Sequence, residues 1–176
     1  MREVYIFDID GCVMSPIFSN FNSNQSRKKI VKDVIKNGNN VNLYPDFIKY
    51  YEKYCIQAES VFFITGRKES EFGKLTKNQL QSLANTKTFQ IIYYPEGKSH
   101  KMWRYFTWKV KKIKEVIKNT IKNKRLNEGS KENVKFNIFD DMNDYFLKIR
   151  KLEDKWHIQI NLTLIENENS WNQLLQ

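Results

Sequence analysis

Three short apolar runs of this chain end in residues able to do chemistry. The run that opens at Glu3 ends in Asp8 and Asp10. The run Ser60–Ile64 is closed by Thr65, Gly66 and Arg67. Val134–Phe139 leads into Asp140 and Asp141, with Asp144 close behind. Four or five carboxylates on one patch repel each other and are tolerable only around a positive charge. Hard oxygen ligands favour magnesium, which binds through a couple of carboxylates and keeps waters for a phosphate substrate. Each aspartate alone reads equally well as a turn or cap residue. Turn chemistry does not explain why three separate runs end this way. Thr65 and Gly66 add a hydroxyl and a backbone N–H that can approach a phosphoryl oxygen. Lys109 falls near the expected start of a long helix, where the helix dipole also favours an anion.

The elements that must position these groups follow from the hydrophobic pattern. Residues 3–9, 60–64, 89–94, 134–139 and 156–164 read as five strands. Helices are expected over 27–38, with Ser26 as cap and Gly38 as stop, and from Pro45 to about Gln57. A weaker helix over about 69–84 is expected to break at Gly73. A strong one runs from Thr107 to about Lys124, and another from about Asp144 to Leu152. Residues 127–133 read as a loop. This alternation predicts an α/β fold: a five-stranded, mostly parallel sheet between two helical layers, with ligands beyond the C-terminal strand ends. Residues 1–165 form the expected domain, and 166–176 an Asn-rich, loosely attached tail.

The chain has 176 residues and a formal net charge of +10. Lys98 to Arg125 holds eleven Lys/Arg against one acid, Glu115, so the rest of the chain is neutral. Trp103, Tyr105, Phe106 and Trp108 lie within that segment. Basic residues interleaved with aromatics suit a polyanion with stacking faces, such as single-stranded nucleic acid; a solvated helix face is the plainer alternative. Apolar runs are far shorter than the ~18 residues that cross a bilayer, and acids stand directly behind the first one, against a secretory signal. Two cysteines, Cys12 and Cys55, make no disulfide framework. A cytoplasmic protein without membrane partners is expected. His100 and His157 stand alone and read as surface or packing residues.

Four of these elements together resemble the haloacid dehalogenase superfamily. Phe7-Asp8-Ile9-Asp10-Gly11-Cys12-Val13 resembles its first motif, a strand followed by DxDG, and Phe63-Ile64-Thr65-Gly66-Arg67 its second. Lys109 resembles its third, with Lys111 or Lys112 as alternatives, and Phe139-Asp140-Asp141-Met142-Asn143-Asp144 its fourth. The resemblance spans roughly residues 3–145. Cys12 departs from it, standing where Thr or Val is usual. It implies a three-layer Rossmann-like fold and a phosphohydrolase. Asp8 would be the nucleophile that forms an aspartyl-phosphate. Asp10 would be the acid and then the base. Magnesium would be held by Asp8, the Asp10 backbone carbonyl and Asp140, with Asp144 acting through water and Asp141 either joining the metal or orienting Lys109. Thr65, Gly66 and Lys109 would hold the phosphoryl oxygens.

The gaps Val13–Ser60 and Pro95–Phe106 are too short for the cap domain that often closes such sites, so a minimal cap or none, and an open site, are expected. The basic segment borders it. Arg67 and Arg104 are expected to grip a neighbouring phosphate, and Trp103 or Trp108 to stack on a base. The expected substrate is therefore a phosphorylated DNA or RNA end, as in the phosphatase part of polynucleotide kinase-phosphatases. Small nucleotide or sugar phosphates, and non-enzymatic nucleic-acid binding, are the alternatives.

Overall fold

The computed structural model describes residues 2–17, 27–98, 101–127 and 134–176. Ser26, His100 and residues 128–133, on which some expectations fell, lie outside these. Five strands, β1 (Arg2–Phe7), β2 (Ser60–Thr65), β3 (Gln90–Tyr93), β4 (Val134–Asp140) and β5 (Gln159–Leu164), form one all-parallel sheet in the order β3-β2-β1-β4-β5. Side chains of alternate residues point to opposite faces, and both faces are apolar. Tyr5, Phe7, Phe63 and Phe139 build one core. Val4, Ile6, Ile64, Phe136 and Ile138 build the other. Buried parallel strands of this kind read as continuous apolar runs, which is why the strands were legible.

The helices are α1 (Arg27–Gly38), α2 (Pro45–Tyr50, prolonged by a π turn over Tyr51–Cys55), α3 (Glu69–Gln79), α4 (Gln81–Ala84), α5 (Met102–Asn127), α6 (Phe146–Trp156) and α7 (Asn169–Leu175). Residues of α2, α4 and α7 pack into the first core, and those of α5 and α6 into the second. The result is the three-layer, Rossmann-like arrangement expected. Helix α1 packs through Val34 against Phe72 and Leu75 of α3. A Cβ on Gly38 would stand 2.8 Å from a Leu75 methyl, so a side chain there would require Leu75 to shift.

Several boundaries differ from expectation. Helix α5 starts at Met102 rather than Thr107, because Tyr105 and Trp108, three residues apart, both pack on Tyr94, at 5.9 and 5.1 Å between ring centroids. Lys109 therefore sits two turns inside the helix, beyond the reach of the N-terminal dipole. Helix α3 runs through Gly73 and breaks at Leu80, whose side chain is fully buried in the first core. His157 adopts a left-handed conformation (φ 51°) that ends α6. Trp156 thus belongs to the helix and β5 begins at Gln159. The tail expected to be loose is instead helical: Trp171 is fully buried, within 4.9–6.0 Å of the rings of Phe47, Tyr50, Phe139 and Phe7. Among the described residues no helix is long and apolar enough to cross a membrane.

Candidate active site

Strand order reverses between β1 and β4, and in open parallel sheets the crevice at such a point is where ligands bind. Phe7 pairs with Phe139, so the residues that follow each, Asp8 and Asp140, emerge side by side. The Asp8 N–H still donates to the Phe139 carbonyl at 3.0 Å. Lys109 reaches both carboxylates from α5: its Nζ lies 2.8 Å from Asp8 Oδ1 and also pairs with Asp140 Oδ2. Tyr145, on the turn before α6, donates its hydroxyl to Asp140 Oδ2. The Tyr105 hydroxyl donates to Asp8 Oδ1 at 3.3 Å, and the Met142 N–H to Asp140 Oδ1 at 3.1 Å. Asp8, Lys109 and Asp140 are all buried.

Burial at this density makes each charge depend on its neighbours. Burial lowers the Lys109 pKa, but the charges of Asp140 and Asp8 more than offset it and hold the ammonium protonated well above its ordinary range. Burial, reinforced by Asp140 and Asp141 and opposed by Lys109, raises the Asp8 carboxyl. Asp141 is pushed up to about 6 by burial and the Asp140 charge. Burial and the nearby aspartates also raise the Cys12 thiol, which leaves it an inert, neutral group.

Asp8, Asp140 and Asp141 each offer an oxygen within 4.8 Å of the others'. Lys109 offsets only one of their three charges. Asp141 Oδ1 is buried with no hydrogen-bond partner among the described residues. An all-oxygen, electron-rich corner with an orphaned carboxylate oxygen fits a hard divalent cation such as magnesium. Gly11 makes room for the Asp141 carboxylate. Its φ is +82°, and a Cβ there would collide with the Asp141 carboxylate.

The other expected residues divide. Asp10 lines the cavity with Asp8, but its carboxylate is not among the three that converge. Arg67 grips it in a fork, Nε to Oδ2 at 2.9 Å and Nη2 to Oδ1 at 2.7 Å. The remaining guanidinium nitrogen donates to Thr76 at 3.1 Å and Gln79 at 2.6 Å on α3. Arg67 is wholly buried and cannot hold a substrate phosphate, as was expected of it; it orients Asp10 instead. Thr65 ends β2, and its hydroxyl accepts the Arg67 N–H at 3.2 Å. Gly66 lines the cavity, and a Cβ there would press on the Tyr105 ring at 3.3 Å. Trp108 is packed in the second core rather than presented for stacking. Arg104 is exposed and lies over the Trp103 ring at 5.1 Å. Asp144 is exposed and not among the converging carboxylates. Of the three candidate lysines, Lys109 reaches the site. Lys111 is exposed, and Lys112 pairs with Glu115 at 2.7 Å.

Sequence reasoning missed three contributors. Tyr105 sits one helical turn before Lys109, a spacing that signals a shared face. Tyr145 carries no comparable signal. The third is α1, whose Ile30 and Val31 join Phe72, Met102, Tyr105 and Met142 in walling a cavity of about 460 Å³ above Asp8 and Asp10. One helix from the Val13–Ser60 gap thus serves as a side wall of the site. No family model and no curated protein matches this chain.

Proposed function

We propose that this protein is a magnesium-dependent phosphomonoesterase of the haloacid dehalogenase type that acts on nucleic-acid ends. The observation that carries the reading is the meeting of Asp8, Asp140, Asp141 and Lys109 at the sheet's reversal point. Magnesium, when bound by Asp8, Asp140 and Asp141, supplies charge neutralisation between an anionic nucleophile and an anionic phosphoryl group. Asp8 attacks phosphorus in line, forming an O–P bond as the P–O bond to the leaving alcohol breaks. Asp10 gives a proton to the departing oxygen in a conformation in which the Arg67 fork no longer occupies both of its oxygens. It then takes one from water, which attacks the aspartyl-phosphate, releases phosphate and frees the Asp8 carboxylate. Lys109 and the Gly66 N–H stabilise the phosphoryl oxygens during both transfers.

Two features support a nucleic-acid end as substrate. The cavity walls are mostly apolar, with Glu71 as an acidic exception, which suits the flat faces of a nucleoside better than the hydroxyls of a sugar phosphate. The +10 segment also borders the site through α5. The cavity could equally hold one mononucleotide, so turnover of a mononucleotide and of a 3′-phosphorylated oligonucleotide should be compared. With magnesium, wild-type protein should release phosphate fastest from the oligonucleotide. Asp8→Asn should lower kcat by on the order of 10³-fold or more. Equal phosphate release by wild type and Asp8→Asn would refute the mechanism.

A further inference from the structure

Helix α5 divides two concavities. Met102 and Tyr105 face the catalytic cavity. Trp103, Arg104, Thr107, Trp108, Lys111 and Lys112 line a second groove, of about 870 Å³, against the end of β3 and the following turn. That size lies within the range of ligand-binding clefts, about 300–1,000 Å³. Aromatic rings back it, Tyr93 partly exposed and Tyr94 and Trp108 buried beneath the surface. Among the described residues its lining holds four cations, Lys98, Arg104, Lys111 and Lys112, and no acid. Glu115, one turn further along α5, pairs with Lys112 at 2.7 Å and lies 4.0 Å from Lys111. It offsets one charge and leaves the groove positive. Trp103 is 63% exposed, with the Arg104 guanidinium over its ring. An exposed tryptophan backed by arginine, beside the Tyr93 ring and a cationic rim, is a stacking platform with a phosphate track.

We infer that this groove binds single-stranded nucleic acid, as a site separate from the catalytic cavity. If the phosphorylated end sits at Asp8, as proposed above, the nucleotides preceding it cross the first turn of α5 and enter the groove; in that respect the site rests on the nucleic-acid reading of the substrate. The occupant is a single strand because Trp103 can stack only on a base whose face is free. In a duplex those faces are covered by neighbouring pairs. Contacts from the rim lysines go to phosphates and carry no sequence preference.

Strand binding can be read without catalysis. The probe is a short fluorescein-tagged oligonucleotide ending in a 3′-hydroxyl, followed by anisotropy in metal-free buffer. Trp103→Ala, at an exposed position, should keep the wild-type melting temperature and weaken binding about 5- to 100-fold. Lys111→Ala with Lys112→Ala should flatten the dependence of log K on log salt by about 1. Asp8→Asn should bind the strand like wild type. Unchanged binding in both groove variants, or a blunt duplex of the same sequence binding as tightly as the single strand, would overturn the assignment. If Trp103-dependent binding is found but wild type releases no phosphate from any end, the hydrolase reading fails and the groove stands. If phosphate is released but the groove variants bind normally, the groove fails alone.

Discussion

Lys109 offsets one of the three negative charges that Asp8, Asp140 and Asp141 bring together, and the remainder is expressed in their proton affinities. Asp141 is the more accessible reporter. Its carboxyl is raised from 3.8 to about 6 by burial and the charge of Asp140, with Lys109 opposing. A divalent ion must displace that proton. Magnesium affinity should therefore climb as pH rises through about 6, and go on climbing toward about 8 as the raised Asp8 carboxyl gives up its proton too, as calorimetric titration from about pH 5 to 9 would read. The sign reverses for the metal-free fold. A carboxyl raised in the folded state contributes stability that is full below its unfolded value, 3.8, and lost as pH passes about 6. Melting temperatures in chelator should fall over that window, and added magnesium should remove the fall. Equal magnesium affinity at pH 5 and pH 7 would show that Asp141 does not hold the ion. The Arg67–Asp10 fork differs in kind. It is a fully formed, bidentate pair in which Arg67 is buried and Asp10 partly exposed, so Arg67 serves to position Asp10 rather than to await a ligand.

The C-terminal helix is the element whose role changed most between sequence and structure. Trp171 of α7 donates its indole N–H to the Cys12 carbonyl at 2.8 Å, within the loop that leaves Asp8 and Asp10. Its ring lies 6.0 Å from Phe7 and 5.2 Å from Phe139, the residues that precede Asp8 and Asp140. One side chain thus underlies both carboxylate-bearing strand ends. Trp171→Ala should cost about 3–5 kcal/mol in urea denaturation, as for other buried aromatic truncations. Trp171→Phe should lose about 1–3 kcal/mol, chiefly from the orphaned Cys12 carbonyl. A midpoint unmoved by Trp171→Ala would mean that the tail is loose after all. The tail misled because it is mostly Asn, Glu and Gln, and its three large apolar residues, Trp171, Leu174 and Leu175, are too few for a periodic signal. Its burial comes from an aromatic cluster assembled by distant segments. The strands and the Asp8–Asp140–Asp141 convergence were legible because an apolar run followed by acids is a local pattern. The partner of Arg67 was not, since its acceptor lies 57 residues away and an arginine beside a phosphate site reads first as a phosphate ligand. The early start of α5 was hidden by the mixture of charge and aromatics over Met102–Trp108.

At the scale of the molecule, nearly all net charge belongs to one stretch that is mostly helix. The chain carries +10, and Lys98–Arg125 accounts for it while the remainder is neutral. The long-range field is therefore largely that of α5 and its approach, and the first turn of that helix borders the cavity above Asp8. Such a field raises the local concentration of a polyanion far more than that of a small anion, because each added phosphate contributes its own attraction. At about 0.15 M salt the field reaches only about 8 Å, so the advantage should vanish as ionic strength rises. For a 3′-phosphorylated oligonucleotide, log kcat/KM should fall with log salt at a slope of about −2 to −3, as expected for three or four phosphate contacts to a single strand. For a mononucleotide 3′-phosphate, which places the same group at Asp8 but nothing along α5, the slope should be shallower than about −1. The difference between the two slopes isolates the helix field from the chemistry, because both substrates use the same carboxylates and the same lysine. Parallel slopes would mean that the charge on α5 only keeps the protein dispersed in water.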